Sequence, residues 1–232
     1  MSAAEQERET IRDVAHLAHV ELLTPKPEES LRFFRDLMGL EEVYREGQSV
    51  YLRGWGDHQL YSLKLTESGQ AGLGHAAFRA FSNGALDRRA NDITKLGLGK
   101  GWTDGDYGHG RTFRFTGPDG HSLELFYEAD PYITPAHLKP SLKNQPQKFA
   151  ARGASVTGLD HINLFSSNVD TDSAFLRKAL GFRLSEVAVT DEGKQTTAWL
   201  HVTNKSYDLA ISLDKTGAKG RFHHLAYKVD SL

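Results

Sequence analysis

The 232-residue sequence contains an internal repeat that keeps histidine at two corresponding places in each copy. His19 in the first copy and His161 in the second both lie in apolar runs typical of a β-strand. A second histidine returns in a strand-like setting, His75 in the first copy and His224 in the second. Imidazole is the commonest protein ligand of metal ions, so this repeat restricts both the fold and the chemistry of the chain.

The order common to both copies is a strand, an amphipathic helix and up to three short strands, and the first copy contains this order twice. The helices are predicted at residues 28–37, 84–96 and 173–180, with glycine directly or shortly after each of them. The predicted strands are 15–23, 49–53, 59–65, 75–81, 111–115 and 122–127 in the first copy, and 159–165, 184–189, 196–202, 207–213 and 222–229 in the second. The order predicts an α+β protein built from tandem βαβββ modules.

The repeat predicts two modules joined by a linker. We expect an N-terminal module over residues 14–130, a linker over 131–156 and a C-terminal module over 157–232. The first module continues for about 50 residues beyond its second histidine, whereas eight residues follow His224, up to Leu232. The second module is therefore expected to be truncated at Leu232, short of one helix and about three strands.

Composition excludes several classes of function. The net charge of −2 and the lack of a basic stripe argue against a nucleic-acid partner. No apolar run is long enough for a membrane span. Cysteine is absent, which excludes disulfides, thiolate metal sites and a cysteine nucleophile. The same absence favours a reducing cytoplasm as the expected location. Residues 1–13 are polar and unlike a secretory signal.

The histidines of the second copy are the strongest candidates for metal binding. Strand alternation places His161 and Asn163 on one face of their strand, and a shared cavity would let His161 meet His224. Two imidazoles need a third ligand, and a carboxylate would complete the facial triad that suits non-haem Fe(II). In the first copy Glu124 follows His75, and the same offset in the second copy leads to roughly position 273, beyond this sequence.

Several segments resemble the type I extradiol ring-cleavage dioxygenases of the vicinal-oxygen-chelate superfamily, especially the catechol and homoprotocatechuate 2,3-dioxygenases. The segments are Asp160-His161-Ile162-Asn163, Ala198-Trp199-Leu200-His201, Arg221-Phe222-His223-His224-Leu225-Ala226-Tyr227, Val50-Tyr51-Leu52-Arg53 and Pro118-Asp119-Gly120-His121. The resemblance implies the glyoxalase/bleomycin-resistance/extradiol dioxygenase fold, with incomplete barrel-like sheets. It also implies cleavage of a catechol-type ring next to its hydroxyls with Fe(II), or Mn(II), and O₂ in aromatic catabolism.

The same resemblance assigns roles to individual residues. It implies that His161 and His224 bind the metal together with a glutamate beyond Leu232. Asn163 would lie beside the substrate and Trp199 would line the pocket. The N-terminal module would be a structural copy without metal, and the protein a homo-oligomer, commonly a tetramer.

One position departs from the resembled family. Its acid–base histidine precedes an aspartate, and here that position is Tyr207, followed by Asp208. A phenol ionises near pH ~10 and an imidazole near ~6.5, so a tyrosine donates a hydrogen bond but is a poor base at neutral pH. His201, which shares a strand face with Trp199, is the alternative acid–base residue.

Two other interpretations remain open from the sequence. A small-molecule binding protein on the same scaffold would hold an aromatic ligand without converting it, which the tyrosine at position 207 and the missing third ligand favour. Alternatively, His19, His75 and Glu124 would bind a metal in the N-terminal module, as in an isomerase, lyase or resistance-type member of the superfamily.

Overall fold

The computed structural model describes residues 13–148 and 151–229. The polar leader predicted over residues 1–13, except for its last residue, lies outside the described residues. The same holds for the final three residues of the second module, including Leu232, where the truncation is predicted. That truncation therefore stays a prediction. Within the described ranges, no helix is long and apolar enough to cross a membrane.

The predicted βαβββ order is present in both copies, although two of its strands, described below, lie outside the predicted ranges. The first copy contains β1 (Val14–Thr24), α1 (Pro27–Arg32), β2 (Glu41–Glu46), β3 (Ser49–Arg53), β4 (Leu63–Glu67), β5 (Gly72–Ala80), α2 (Asn83–Lys95), β6 (Gly99–Thr103), β7 (Thr112–Thr116) and β8 (Ser122–Phe126). The second contains β9 (Val156–Ser166), α3 (Val169–Leu180), β10 (Arg183–Val189), β11 (Gln195–His201), β12 (Leu209–Leu213) and β13 (Phe222–Val229). A short 3₁₀ turn, Ala136–Leu138, lies between the copies. The α+β class is therefore correct.

Helix ends follow local capping chemistry. The predicted first helix is continued beyond α1 by a π-helical turn, Phe33–Leu37, in which Met38 N–H donates to the Phe33 carbonyl. Helix α3 begins earlier than predicted because the Asn168 side chain accepts a hydrogen bond from Thr171 N–H. It ends as predicted at Gly181, whose φ of 75° is left-handed.

The sequence pattern predicts neither β2 nor β6, and it starts the strand after β3 too early. Strand β2 is mostly charged and β6 contains two glycines, so neither has the apolar alternation that marks a strand. Each is held by an antiparallel neighbour, β2 by β3 and β6 by β7. Pairing with a strong partner strand thus overrides weak local preference.

The described chain forms two compact units. One comprises residues 13–18, 75–128 and 161–226, and the other comprises 19–74, 129–148, 151–160 and 227–229. In the second unit the strand order is β2-β3-β4-β1, with β1 parallel to β4. In the first unit the orders are β5-β8-β7-β6 and β10-β11-β12-β9-β13. The module bounds inferred from the repeat stay a prediction.

The first unit carries the histidines of interest and has a continuous core. Helices α2 and α3 meet where the Arg89 guanidinium donates to the Ala179 carbonyl at 3.1 Å. The rings of Phe78 and Phe182 pack edge to face at 5.5 Å. This packing joins residues 75–128 to helix α3 and to Phe182, which lies directly before β10.

Candidate metal centre

The structure brings His161 and His224 together. Their Nε2 atoms lie 3.3 Å apart, and their rings are close to perpendicular, with centroids separated by 5.4 Å. His161 is on β9, where Ile162 and Leu164 are buried on the opposite face of the strand. The apolar face fixes the strand against the core, so its polar face presents the imidazole to β13. The third ligand, a glutamate expected beyond Leu232, lies outside this sequence and stays a prediction.

His224 has a second imidazole beside it. Its Nδ1 atom lies 2.8 Å from Nδ1 of His223, whose ring packs on Phe165 with centroids 4.5 Å apart. The pKa of His224 is lowered from its usual value, first by burial and then by the neighbouring charges of His223 and His161. A neutral imidazole is the form that binds a metal ion.

Asn163 and Trp199 lie in one lateral row of the sheet. Both residues are in register with Ala210 of β12, which places their side chains on the same face two strands apart. Asn163 is largely buried, and its side-chain amide exchanges hydrogen bonds with the Ser212 hydroxyl at 3.0 and 3.2 Å. The small Ala210 side chain separates the indole from the amide.

Tyr207 lies directly against His161, with ring centroids 4.5 Å apart and planes inclined at 58°. Its position is set by Asp208, which is fully buried and accepts hydrogen bonds from the N–H groups of Val202 and Thr203 at 2.8 and 2.9 Å. Burial alone would raise the pKa of Asp208. These N–H donors and the Lys205 ammonium outweigh burial and lower that pKa.

His201 is held by the turn that follows β11. Its Nδ1 lies 3.0 Å from the Lys205 carbonyl oxygen, which can only accept, so Nδ1 carries the proton and Nε2 is the basic nitrogen. The residue is partly exposed. His201 pairs with Arg183 of β10. It follows Trp199 by two residues on β11, so the two side chains lie on the same face of the strand.

The first copy also gathers histidine and carboxylates. His75 Nε2 lies 3.4 Å from an oxygen of Glu124 and 3.8 Å from an oxygen of Asp106. The other oxygen of Glu124 accepts a 2.7 Å hydrogen bond from Arg114, whose charge offsets the carboxylate. Sequence reasoning missed Asp106, since it lies in a loop outside the repeat pattern. His19, in the other unit, is fully buried with its ring 4.8 Å from that of Tyr61.

Comparison with known proteins identifies similar chains. A family model described as the Glyoxalase/Bleomycin resistance protein/Dioxygenase superfamily matches residues 16–125 and 158–232. The chain is 48% identical over 220 residues to a metapyrocatechase from Geobacillus stearothermophilus, covering 95% of this chain and 67% of that protein. It is 31% identical over 222 residues to a manganese-dependent 2,3-dihydroxybiphenyl 1,2-dioxygenase from Geobacillus genomosp. 3, covering 95% and 70%.

The fold is also found among solved structures. The complex of homoprotocatechuate 2,3-dioxygenase from Brevibacterium fuscum with 3,4-dihydroxyphenylacetate matches with a TM-score of 0.79 and 28% identity. The match covers 93% of this chain and 64% of that structure. The chain thus spans about two thirds of the length of these similar proteins.

Proposed function

Because the chain belongs to the glyoxalase/bleomycin resistance protein/dioxygenase superfamily, we propose that it acts as an extradiol dioxygenase. Its reaction opens a catechol-type aromatic ring next to the hydroxyl groups with O₂, as a step of aromatic catabolism. The observation that carries the proposal is the 3.3 Å separation of the His161 and His224 Nε2 atoms. The similarity to a metapyrocatechase and to a homoprotocatechuate 2,3-dioxygenase supports the choice of reaction.

The two histidines fit a divalent metal. Two nitrogens bound to one ion at about 2.1 Å and at roughly right angles lie about 3 Å apart, close to the observed separation. His161 and His224 would hold the ion, with a glutamate beyond Leu232 as the predicted third ligand. We propose Fe(II), and Mn(II) as the alternative that one similar protein carries in its name. When bound, the metal would supply Lewis-acid stabilisation to the deprotonated catechol.

The surrounding side chains orient the substrate and handle its protons. Trp199 offers a flat apolar wall, and the Asn163 amide offers hydrogen bonds to a polar substituent from the same strand face. Tyr207, whose ring packs against His161, would use its hydroxyl as a hydrogen-bond donor to the reacting groups. His201 has a basic Nε2 atom, so we assign the acceptance of a substrate proton to it.

The setting of the enzyme follows from the same proposal. Its partners are a catechol-type small molecule and O₂, without nucleic acid or membrane. The cytoplasmic location and the homotetramer stay predictions.

The function is tested by loading the protein with Fe(II) without air, adding catechol, and then admitting O₂. We expect a yellow ring-opened semialdehyde from the wild type and none from His161→Gln, which should also lose bound iron. His137→Gln is the matched control, because His137 is an exposed histidine of the 3₁₀ turn.

Other outcomes would contradict the proposal in distinct ways. Retention of catechol without colour by the iron-loaded protein would indicate a binding protein. Loss of bound iron in His75→Gln, together with full retention of iron in His161→Gln, would show that the metal binds in the first copy. His201→Asn keeps a hydrogen-bond donor for the Lys205 carbonyl but removes the basic nitrogen. Unchanged turnover in this variant would therefore exclude His201 as the proton acceptor.

A further inference from the structure

The turn between β7 and β8 contacts the segment that leads into β13. The backbone N–H of Gly220 donates to the carbonyl of Asp119 at 2.7 Å. At the next residue after Gly220, the Arg221 carbonyl accepts a hydrogen bond from His121 Nε2 at 3.0 Å. The two backbones approach so closely that a Cβ atom at Gly220 would lie 3.0 Å from the Gly120 carbonyl oxygen. The start of β13 is therefore fixed by a hairpin about 100 residues earlier in the chain.

The Asp119 side chain strengthens this contact. Its carboxylate is buried and accepts hydrogen bonds from the Lys219 ammonium at 2.6 Å and the Ser167 hydroxyl at 2.5 Å. The Asp119 N–H in turn donates to Asp172, which also accepts from the Ser166 hydroxyl. The carboxylate of Asp119 thus joins the segment before β13 to the loop that follows β9, the strand that carries His161.

The register of β13 has a chemical consequence, because its two histidines are consecutive. In the strand order of the described residues, β13 has β9 as its only neighbour, and a strand paired on one side is more easily displaced along its partner. A shift by one residue moves each side chain to the position of its neighbour. Such a shift would bring His223 instead of His224 towards His161.

We propose that Asp119 is a positioning residue of the metal centre, which holds Lys219 and Gly220 so that β13 presents His224 to His161. The inference rests on the proposed function, since it takes these two histidines as the metal ligands. Asp119 touches neither imidazole directly, and it acts through the backbone of residues 219–221. Residues that orient metal ligands in this way change metal affinity by about 10- to 100-fold when they are replaced.

The test measures binding of Mn²⁺ to the metal-free protein from the electron paramagnetic resonance signal of the free ion. We expect Asp119→Asn and Lys219→Met each to weaken binding about 10- to 100-fold. Lys215→Met is the matched control, because Lys215 is an exposed lysine of the same loop. It should bind Mn²⁺ within about twofold of the wild type. Circular dichroism melting of each metal-free variant verifies that it is folded.

A second measurement distinguishes a shift of β13 along β9 from a general loosening of the metal centre. His223→Gln should lower Mn²⁺ affinity more in the Asp119→Asn background than in the wild type, because only a shifted strand presents His223 to His161. General loosening would give His223→Gln the same effect in both backgrounds, which would overturn the proposal. Wild-type affinity in a folded Asp119→Asn variant, or an equal loss in Lys215→Met, would also overturn it.

The two proposals fail in different ways. If His224→Gln binds Mn²⁺ as tightly as the wild type, the metal centre itself is wrong. If His224→Gln loses the ion but Asp119→Asn and Lys219→Met keep it, the metal centre stands and the positioning role of Asp119 is wrong.

Discussion

The phenol ring of Tyr207 packs against the imidazole of His161, with ring centroids 4.5 Å apart. Asp208 fixes this arrangement from the next position in the chain, since its buried carboxylate is bound by two backbone N–H groups and by Lys205. A hydrogen-bond donor is therefore held beside the proposed metal centre where the resembled family has a histidine. A phenol donates a hydrogen bond well but accepts a proton poorly at neutral pH.

Removal of the Tyr207 hydroxyl should slow turnover without loss of metal. We expect Tyr207→Phe to lower kcat for catechol by about 10- to 100-fold, because the lost hydrogen bond serves the reacting groups. Iron content, measured by atomic emission, should match that of the wild type. Tyr127→Phe is the control, because it removes the same hydroxyl from a ring that packs on Arg79. Equal kcat in Tyr207→Phe and Tyr127→Phe would exclude a catalytic role for Tyr207.

Restoring the family's histidine should change the pH dependence instead. Tyr207→His introduces a group that titrates near ~6.5. We expect the kcat/KM profile of this variant to show one more ionisation in that region than the profile of the wild type, in which His201 is the proposed proton acceptor. A profile identical in shape to that of the wild type would indicate that position 207 takes no part in proton transfer.

The strands that carry the metal centre could be predicted from the sequence, but the side-chain contacts that hold these strands in place could not. His161 and His224 stand out because the repeat places both in strand-like segments, and hydrophobic alternation fixes the faces of such strands. Asp119 and Lys219 give no such signal, since their contact joins residues 100 positions apart. Asp106 was missed for a related reason, because a loop residue has no periodicity to mark it. Contacts that depend on tertiary packing cannot be read from local pattern.

Acid should destabilise the fold partly through His16. Burial lowers the pKa of His16 to about 4; the charge of Arg79 adds to this effect, Asp208 opposes it, and Lys205 also lowers the pKa. Between pH ~6.5 and ~4 the unfolded chain binds a proton at this residue that the folded chain does not. The free energy of unfolding should therefore fall as the pH falls through this window, with about 3 kcal/mol as the upper bound from this residue.

Urea unfolding at a series of pH values tests the contribution of His16. His16→Gln should make the dependence on pH shallower over that window, while the exposed-histidine variant His137→Gln should leave it unchanged. Parallel curves for the wild type and His16→Gln would show that His16 is protonated equally in the folded and unfolded states.

Neutralising Asp208 should destabilise the turn before β12. Asp208→Asn keeps the shape of the side chain but replaces a carboxylate that accepts from Val202 and Thr203 and pairs with Lys205. Hydrogen bonds to a charged group contribute about 1.5–3 kcal/mol, so we expect a loss in that range in the free energy of unfolding at pH 7. Asp191→Asn, at an exposed aspartate in another turn, is the control and should change it by less than about 0.5 kcal/mol.

Gly39 and Gly47 both have a left-handed backbone conformation, but they should differ in how much stability is lost when each is replaced by alanine. Gly39 has φ of +84°, and a Cβ atom there would lie 2.3 Å from the Arg152 carbonyl oxygen. Gly47 has φ of +55° with no atom within 4 Å of such a Cβ. Gly47→Ala should cost only the conformational strain of about 1–2 kcal/mol. Gly39→Ala should cost more than this, because the backbone at Arg152 must also move.

The free energies of unfolding from urea titration compare the two variants directly. An equal loss of unfolding free energy in the two variants would mean that residue 152 does not pack on Gly39 in solution. The hydrogen bond from Ala154 N–H to the Leu37 carbonyl would then not hold this segment in place.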